Sequence, residues 1–248
     1  MNINDFYVVA REPGAEHSAL PTRASDRTNP AQLLDKVDWD IQRREIPEVP
    51  GAFQILNVLS REECERLIQI SETLGYLEDA AVSLPRSVRH NHSLTWVVDE
   101  ATDNIIWERS RPFMGDPEGI FNGKRPLGIN ARFRFYRYGE GDFFKPHIDG
   151  DWPGSRVIDR TLVGDAYPDR WSKMTFLVLL SDEFEGGATE FWVNEPHSRQ
   201  TSKVGVRTPA GSVLCFPHGR HPMHCLHSSE TITKGVKYII RSDVLFEV

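Results

Sequence analysis

His147 and Asp149 stand two residues apart, directly after a strand-like run at 130–138. On a strand, side chains two apart point to the same face. An imidazole and a carboxylate at that spacing can hold one side of a metal ion. A distant second histidine would complete a two-histidine, one-carboxylate facial set, which leaves open coordination positions on ferrous iron. The pair alone is common and most often structural. The rest of the chain must therefore supply a third ligand and something for the open positions.

Histidines recur near the C-terminus at His218, His221, His224 and His227, with Cys215 and Cys225 among them. A zinc site built locally from this cluster is one reading. Against it, Pro217 and Pro222 prevent a regular helix, and the spacing fits no common zinc-ligand scheme. A histidine-rich turn with no metal is another reading. Further on, Lys237 and Arg241 share one face of an apolar strand. A cation turned inward there is costly unless it meets an anion. A dicarboxylic acid that chelates iron at one end would bring that anion at the other.

These residues need a scaffold. A chain of 248 residues suits one large β domain, or one domain with helical additions. Its net charge of −7 argues against nucleic acid as the main partner. No apolar run of membrane-spanning length is present, so no membrane association is expected. The N-terminus shows no basic and apolar signal pattern. Three unclustered cysteines, Cys64, Cys215 and Cys225, favour reduced thiols and a cytoplasmic location.

Residues 1–48 are polar and punctuated by Pro13, Pro21, Pro30 and Pro47. They read as an extension packed on the core or a partner chain, with the folded domain at 49–248. Gln32–Val37 reads as a short helix or an edge contact. Ser60 and Glu63 form a capping box ahead of a helix with the stripe Cys64, Leu67, Ile68, Ser71 and Leu74, stopped at Gly75. A second helix is expected over 101–111, before Pro112. From residue 130 onward, short strand-like runs alternate with glycine and proline signals, which points to a sandwich or barrel. Within 130–138, Ala131, Phe133 and Phe135 share one face, fit for a helix layer. Asn130, Arg132, Arg134, Tyr136 and Tyr138 share the other, so Arg134 and Tyr136 should look inward beside Tyr138. The segment 150–171 is too long and polar for a hairpin and reads as a lid carrying Trp152, Arg156, Arg160, Tyr167, Arg170 and Trp171.

Six pieces in sequence then carry a specific likeness. They are Leu59–Cys64, the Tyr138-Gly-x-Gly stretch with Pro146-His147-x-Asp149, Thr175–Ser181, Gly186–Phe191, Gly211–Phe216, and His227 with Gly235-Val-Lys237. Together they resemble the Fe(II)/2-oxoglutarate-dependent dioxygenases of the prolyl 4-hydroxylase-like subgroup, over about residues 50–248. The resemblance implies a mainly β fold with N-terminal helices, in which a double-stranded β-helix (jelly roll, cupin-like) has helices packed on one sheet. It implies His147, Asp149 and His227 as iron ligands, His227 being preferred to His224 because Lys237 follows it at the family's spacing. Lys237 is the implied partner of the 2-oxoglutarate distal carboxylate, with Arg241 a weaker candidate. Tyr138 matches a tyrosine that often bonds the co-substrate. Arg134 and Tyr136 join them as co-substrate or substrate contacts.

The activity implied is oxidation of an unactivated C–H bond, by hydroxylation, desaturation or cyclisation, with Fe(II), 2-oxoglutarate and O2, and with ascorbate in support. The expected substrate is a small molecule such as an amino acid or a specialised metabolite, anionic in keeping with the arginines of the inner strand. The alternative is a peptidyl proline. A homodimer stays open. Two rivals of other classes are a non-catalytic metal or small-ligand binding barrel and a zinc hydrolase. The hydrolase lacks a general base beside the metal motif.

Overall fold

The computed structural model describes residues 3–79, 84–116, 118–194 and 200–248. In chain order the first elements are β1 (Phe6–Glu12), β2 (Leu20–Ser25), β3 (Gln42–Glu45), β4 (Phe53–Leu56), α1 (Arg61–Leu74), β5 (Arg89–His90), β6 (His92–Val97) and α2 (Glu100–Ser110). Strands β7 (Pro126–Ile129), β8 (Arg132–Tyr138), β9 (Phe143–His147), β10 (Arg156–Ile158), β11 (Thr161–Val163) and β12 (Arg170–Leu179) follow. The last are β13 (Phe184–Gly186), β14 (Thr189–Asn194), β15 (Thr201–Val206), β16 (Val213–Pro217), β17 (His227–Ser229), β18 (Ile232–Gly235) and β19 (Lys237–Glu247).

Two sheets dominate. The larger runs β1-β2-β6-β8-β19-β12-β16-β4-β3, with β7 also paired to β19; the smaller runs β15-β14-β17-β9-β5. Tyr136, Tyr138, Leu177, Leu214 and Ile239 of the larger sheet pack with Phe191 and Val206 of the smaller one. Two sheets closed on one core make a jelly-roll sandwich. The outer face of the larger sheet carries Phe133, Phe135, Phe176 and Ile240, which pack with Leu67 and Ile70 of α1 and Ile105 and Ile106 of α2. The expected alternation along β8 therefore sends its phenylalanines to the helices and its tyrosines between the sheets.

The expectation of N-terminal helices is corrected. Among the described residues four strands precede α1, and the two α-helices lie mid-chain. Residues that cannot build a core of their own still satisfy their backbone by pairing with sheet edges. β2 runs parallel to β6 with Thr22 opposite Thr95, β1 pairs antiparallel with β2, and β3 pairs antiparallel with β4. Alternation in β2 buries Leu20, Thr22 and Ala24, while Phe6 meets Trp96 edge-on at 5.3 Å. Gln32–Val37 contains no helix. The region is tied to α1 instead, through Arg66 donating to the carbonyls of Ala31 and Gln32.

The capping box at Ser60 and Glu63 is present, and α1 buries Cys64, Leu67, Ile70, Ser71 and Leu74. Ile68 lies at the edge of that stripe and is only partly buried. Glu63 does more than cap. Both its oxygens meet the Arg109 guanidinium at 2.8 Å, and one also accepts the Leu34 N–H. Glu63 is wholly buried and Arg109 is 7 % exposed. Removing one partner of such a pair strands a buried charge, at a cost of about 3–5 kcal/mol. Arg109→Met is accordingly expected to lower Tm by on the order of 10 °C. Adding Glu63→Gln should recover part of that loss, and thermal unfolding of the single and double variants measures both.

The 150–171 segment is also corrected. It contains a hairpin, β10–β11, with Arg156 opposite Val163. Asp159 and Arg160 adopt positive φ at its turn, which lets the two short strands fold back on each other as a separate two-stranded sheet.

Candidate active site

β9 and β17 are adjacent antiparallel strands of the smaller sheet, and their register sets His147 directly opposite His227. The ring centroids lie 4.3 Å apart. Each imidazole points its Nδ1 back along its own strand, His147 to the Lys145 carbonyl at 2.8 Å and His227 to the Cys225 carbonyl at 3.0 Å. With those nitrogens donating, both Nε2 atoms are acceptors free to ligate. Asp149 lies beyond the end of β9. Its Oδ1 is 3.7 Å from His147 Nε2 and its Oδ2 is 3.7 Å from His227 Nε2. Among the described residues this is the group whose ligand atoms lie within 4.8 Å of one another.

Protonation favours ligation. Burial, then the neighbouring imidazole, lowers His147 to about 4; burial also lowers His227. For Asp149, burial opposes ionisation. Arg241, then His227 and His147, outweigh it and hold the carboxyl well below its usual range. Two neutral imidazoles and one carboxylate form the donor set that non-haem iron takes. The side chains fit the metal.

Asp149 is held from behind. Thr175 of β12 donates its hydroxyl to Oδ2 at 2.7 Å, and Arg241 of β19 lies 3.3 Å from the same oxygen. The Arg241 contact is ionic, without the alignment of a hydrogen bond. Arg241 also reaches Asp243 at 2.9 Å, and Asp243 lies 3.8 Å from Arg134. His218 bonds both Thr175 and Ser172. Alternate charges in this buried row compensate one another, as buried ions require.

His147, Asp149 and His227 line a cavity of about 310 Å³, which Tyr136, Tyr138, Lys237 and Arg241 also line. Arg134 is not on that lining; it faces Asp243 behind Arg241, with Trp152 over its guanidinium. Burial pushes the Tyr138 phenol well above its usual range, so the hydroxyl stays protonated. Lys237 lies opposite Tyr138 in the β8–β19 register and is 2 % exposed. Its ammonium donates to the Gly187 carbonyl at 2.7 Å and the Ser229 hydroxyl at 3.2 Å, and no carboxylate partners it among the described residues. Burial lowers it to about 7. Gly187 has φ +67°, and a Cβ there would fall 2.4 Å from Ile232. Only glycine turns that carbonyl to the lysine without strain.

The histidine-rich segment does not assemble a local metal site. His224 is exposed and bonds the His221 carbonyl, while His221 reaches the Ile120 carbonyl. The expected lid arginines turn elsewhere: Arg156 pairs with Asp103, Arg160 with Asp26 and Arg170 with Asp169. From that segment Gly150 and Trp152 reach the cavity. Thr175, Asp243 and Arg89 carried no assigned role in the sequence, and His218 was read only as part of the histidine-rich segment. Thr175 had a signal, since it begins the apolar run before Ser181. Asp243 and Arg89 had none.

A family profile described as the 2OG-Fe(II) oxygenase superfamily matches residues 133–242. That span runs from β8 to β19 and contains His147, Asp149, His227 and Lys237. Over those residues the chain is similar to the 2OG-Fe(II) oxygenase superfamily. It is a 2-oxoglutarate-dependent, non-haem iron dioxygenase, using Fe(II), 2-oxoglutarate and O2.

Solved structures resemble this oxygenase in fold. A viral collagen prolyl hydroxylase from Paramecium Bursaria Chlorella virus-1, in complex with 2OG, is 19 % identical with a TM-score of 0.50; the match covers 79 % of this chain and 96 % of that one. A Pseudomonas putida prolyl-4-hydroxylase is 14 % identical with a TM-score of 0.50, covering 78 % of this chain and 91 % of that one. A Trichoplax adhaerens prolyl hydroxylase, in complex with a hypoxia inducible factor oxygen degradation domain peptide fragment, is 18 % identical with a TM-score of 0.52, covering 78 % and 83 %. At these identities the likeness is one of fold. No curated protein matches the chain in sequence. No helix among the described residues is long and apolar enough to cross a membrane.

Proposed function

We propose that His147, Asp149 and His227 hold Fe(II), that Lys237 receives the distal carboxylate of 2-oxoglutarate, and that the chain hydroxylates a C–H bond of a substrate seated in the cavity mouth. The observation that carries this is the pairing of a three-ligand cluster with a buried, carboxylate-free lysine in one cavity. Arg241 is the weaker choice for the distal carboxylate, because Asp149 and Asp243 already engage it. When bound, Fe(II) and 2-oxoglutarate supply the oxidation: O2 is consumed, 2-oxoglutarate becomes succinate and CO2, and one oxygen atom goes to the substrate. The protein's share is to orient the ligands through Thr175 and Arg241, to hold the co-substrate and to limit water.

A prolyl residue has the most support as substrate, because prolyl hydroxylases share this fold. The small-acid reading is favoured by a second cavity cation without a carboxylate partner among the described residues, Arg89. The test is substrate-stimulated succinate formation by the iron-loaded protein with ascorbate, followed by mass spectrometry. Proline-containing peptides and free amino acids are assayed side by side. Succinate together with a product enriched by one oxygen atom is the expected result. Failure to turn over 2-oxoglutarate at all, in protein shown to contain iron, would refute the proposal.

A further inference from the structure

Five arginines are buried among the described residues: Arg89, Arg109, Arg132, Arg134 and Arg241. Four have carboxylates. Arg109 meets Glu63, Arg132 meets Glu12, Arg134 faces Asp243, and Arg241 lies between Asp149 and Asp243. Arg89, at 7 % exposed, is the exception: no carboxylate pairs with it among the described residues. Its guanidinium lies over aromatic rings instead, 5.3 Å from the Tyr136 centroid and 5.6 Å from that of Phe144. Aromatic faces stabilise a cation by about 0.5–2 kcal/mol, less than a buried charge costs when left without an anion.

Its placement gives the residue a direction. β5 pairs with β9, setting Arg89 opposite Phe144, so it belongs to the same sheet as both histidine ligands. The Phe144 ring stacks on His147 at 3.5 Å. Arg89 also lines the cavity that holds the three ligands. Along β8, Lys237 lies over Tyr138 and Arg89 over Tyr136, the next residue on the inward face. The cavity thus offers two cations without carboxylates. On the proposed reading, 2-oxoglutarate commits one carboxylate to the metal end and the other to Lys237. Neither remains for Arg89.

We infer that Arg89 is a substrate-binding residue that receives a carboxylate of the substrate itself. A guanidinium takes a carboxylate through two parallel N–H donors, which fixes orientation as well as affinity. The substrate class is then an acid whose carboxylate lies close to the carbon that is oxidised. It is either a free amino acid or a peptide whose C-terminal proline carries the carboxylate. Internal prolines are excluded from productive binding because their carbonyl is an amide. The inference rests on the iron and 2-oxoglutarate reading of this cavity.

The test uses iron-loaded protein with a panel of the free L-amino acids and of short peptides ending in proline. Each compound is supplied both as the carboxylate and as the carboxamide. The wild type is expected to prefer the acid over its amide by about 30-fold or more in kcat/KM, the range in which loss of one buried charge partner falls. Arg89→Gln should raise KM for the acid by a similar factor and bring the acid-to-amide ratio near unity, and Arg89→Lys should restore part of the preference. Affinity for 2-oxoglutarate, measured by calorimetry on the Mn(II)-loaded variant without O2, is expected to stay within about twofold of wild type; this also shows that the variant folds. Whichever acid arm responds, free or peptide C-terminal, identifies the source of the carboxylate. Equal use of acids and amides by the wild type overturns the inference. A fall in 2-oxoglutarate affinity in Arg89→Gln also overturns it, since the residue would then serve the co-substrate. Silence of the whole panel while uncoupled succinate formation persists overturns the inference alone. Loss of uncoupled succinate formation would strike the iron reading beneath it.

Discussion

His227→Ala is expected to lose bound iron and 2-oxoglutarate turnover, while His224→Ala keeps both near wild type. The two histidines are three residues apart in the same histidine-rich segment, so the contrast is a demanding one. His227 is buried, its Nδ1 is bonded to the Cys225 carbonyl, and its Nε2 lies 3.7 Å from Asp149. His224 is exposed and its ring bonds the His221 carbonyl. Residues that only orient a metal ligand commonly cost 10–100-fold in affinity when replaced. Removing a ligand should exceed that, so losses beyond about 100-fold are expected for His147→Ala, Asp149→Ala and His227→Ala. Metal content after anaerobic reconstitution, together with succinate release, measures both effects. Equimolar iron and normal turnover in His227→Ala, with both lost in His224→Ala, would move the third ligand to the other histidine.

The cluster of His147, Asp149 and His227 could be anticipated from the sequence because its signals are local. His147 ends β9 with Asp149 two residues on, and Lys237 follows His227 by only ten residues. The inward face of β8 followed from alternation alone, since a period of two admits only two faces. What escaped reading depended on partners far away in the chain. Arg241, the weaker co-substrate candidate in the sequence, gave no sign of its approach to Asp149. Asp243, two residues on, gave no sign that it would be wholly buried between Arg241 and Arg134. Arg89 sits on a two-residue strand inside a polar stretch, too short to show any periodicity. The N-terminal strands were missed for a similar reason. β1 to β3 are held by sheet edges contributed by β6 and β4, and edge pairing leaves little compositional trace. The helices were legible by capping and stripe, but their position after four strands was not.

Lys237→Met is expected to change stability and co-substrate affinity in opposite directions. Without 2-oxoglutarate the lysine is a buried cation with only a carbonyl and a hydroxyl for partners, and burial lowers it from 10.5 to about 7. Between about pH 7 and pH 10 the unfolded chain therefore holds a proton that the folded chain has released. The co-substrate-free wild type should gain stability as pH rises through that window and stay at its lower level below it. Methionine has no proton to exchange, so the variant should lose this slope and be more stable than wild type at neutral pH. Binding runs the other way. The distal carboxylate of 2-oxoglutarate needs the ammonium form, which is already present below about pH 7 and must be regained above it. Affinity should then fall by up to about tenfold per pH unit above that point, with one proton taken up per molecule bound. In Lys237→Met the pH dependence should vanish and affinity should drop by about 30- to 3,000-fold, the cost of truncating one partner of a buried charge pair. Calorimetry of 2-oxoglutarate binding to Mn(II)-loaded protein in two buffers of different ionisation enthalpy measures affinity and proton uptake together. If Lys237→Met bound 2-oxoglutarate as tightly as wild type while Arg241→Met did not, the distal carboxylate would belong to Arg241. Asp149 would then have to be positioned by Thr175 alone.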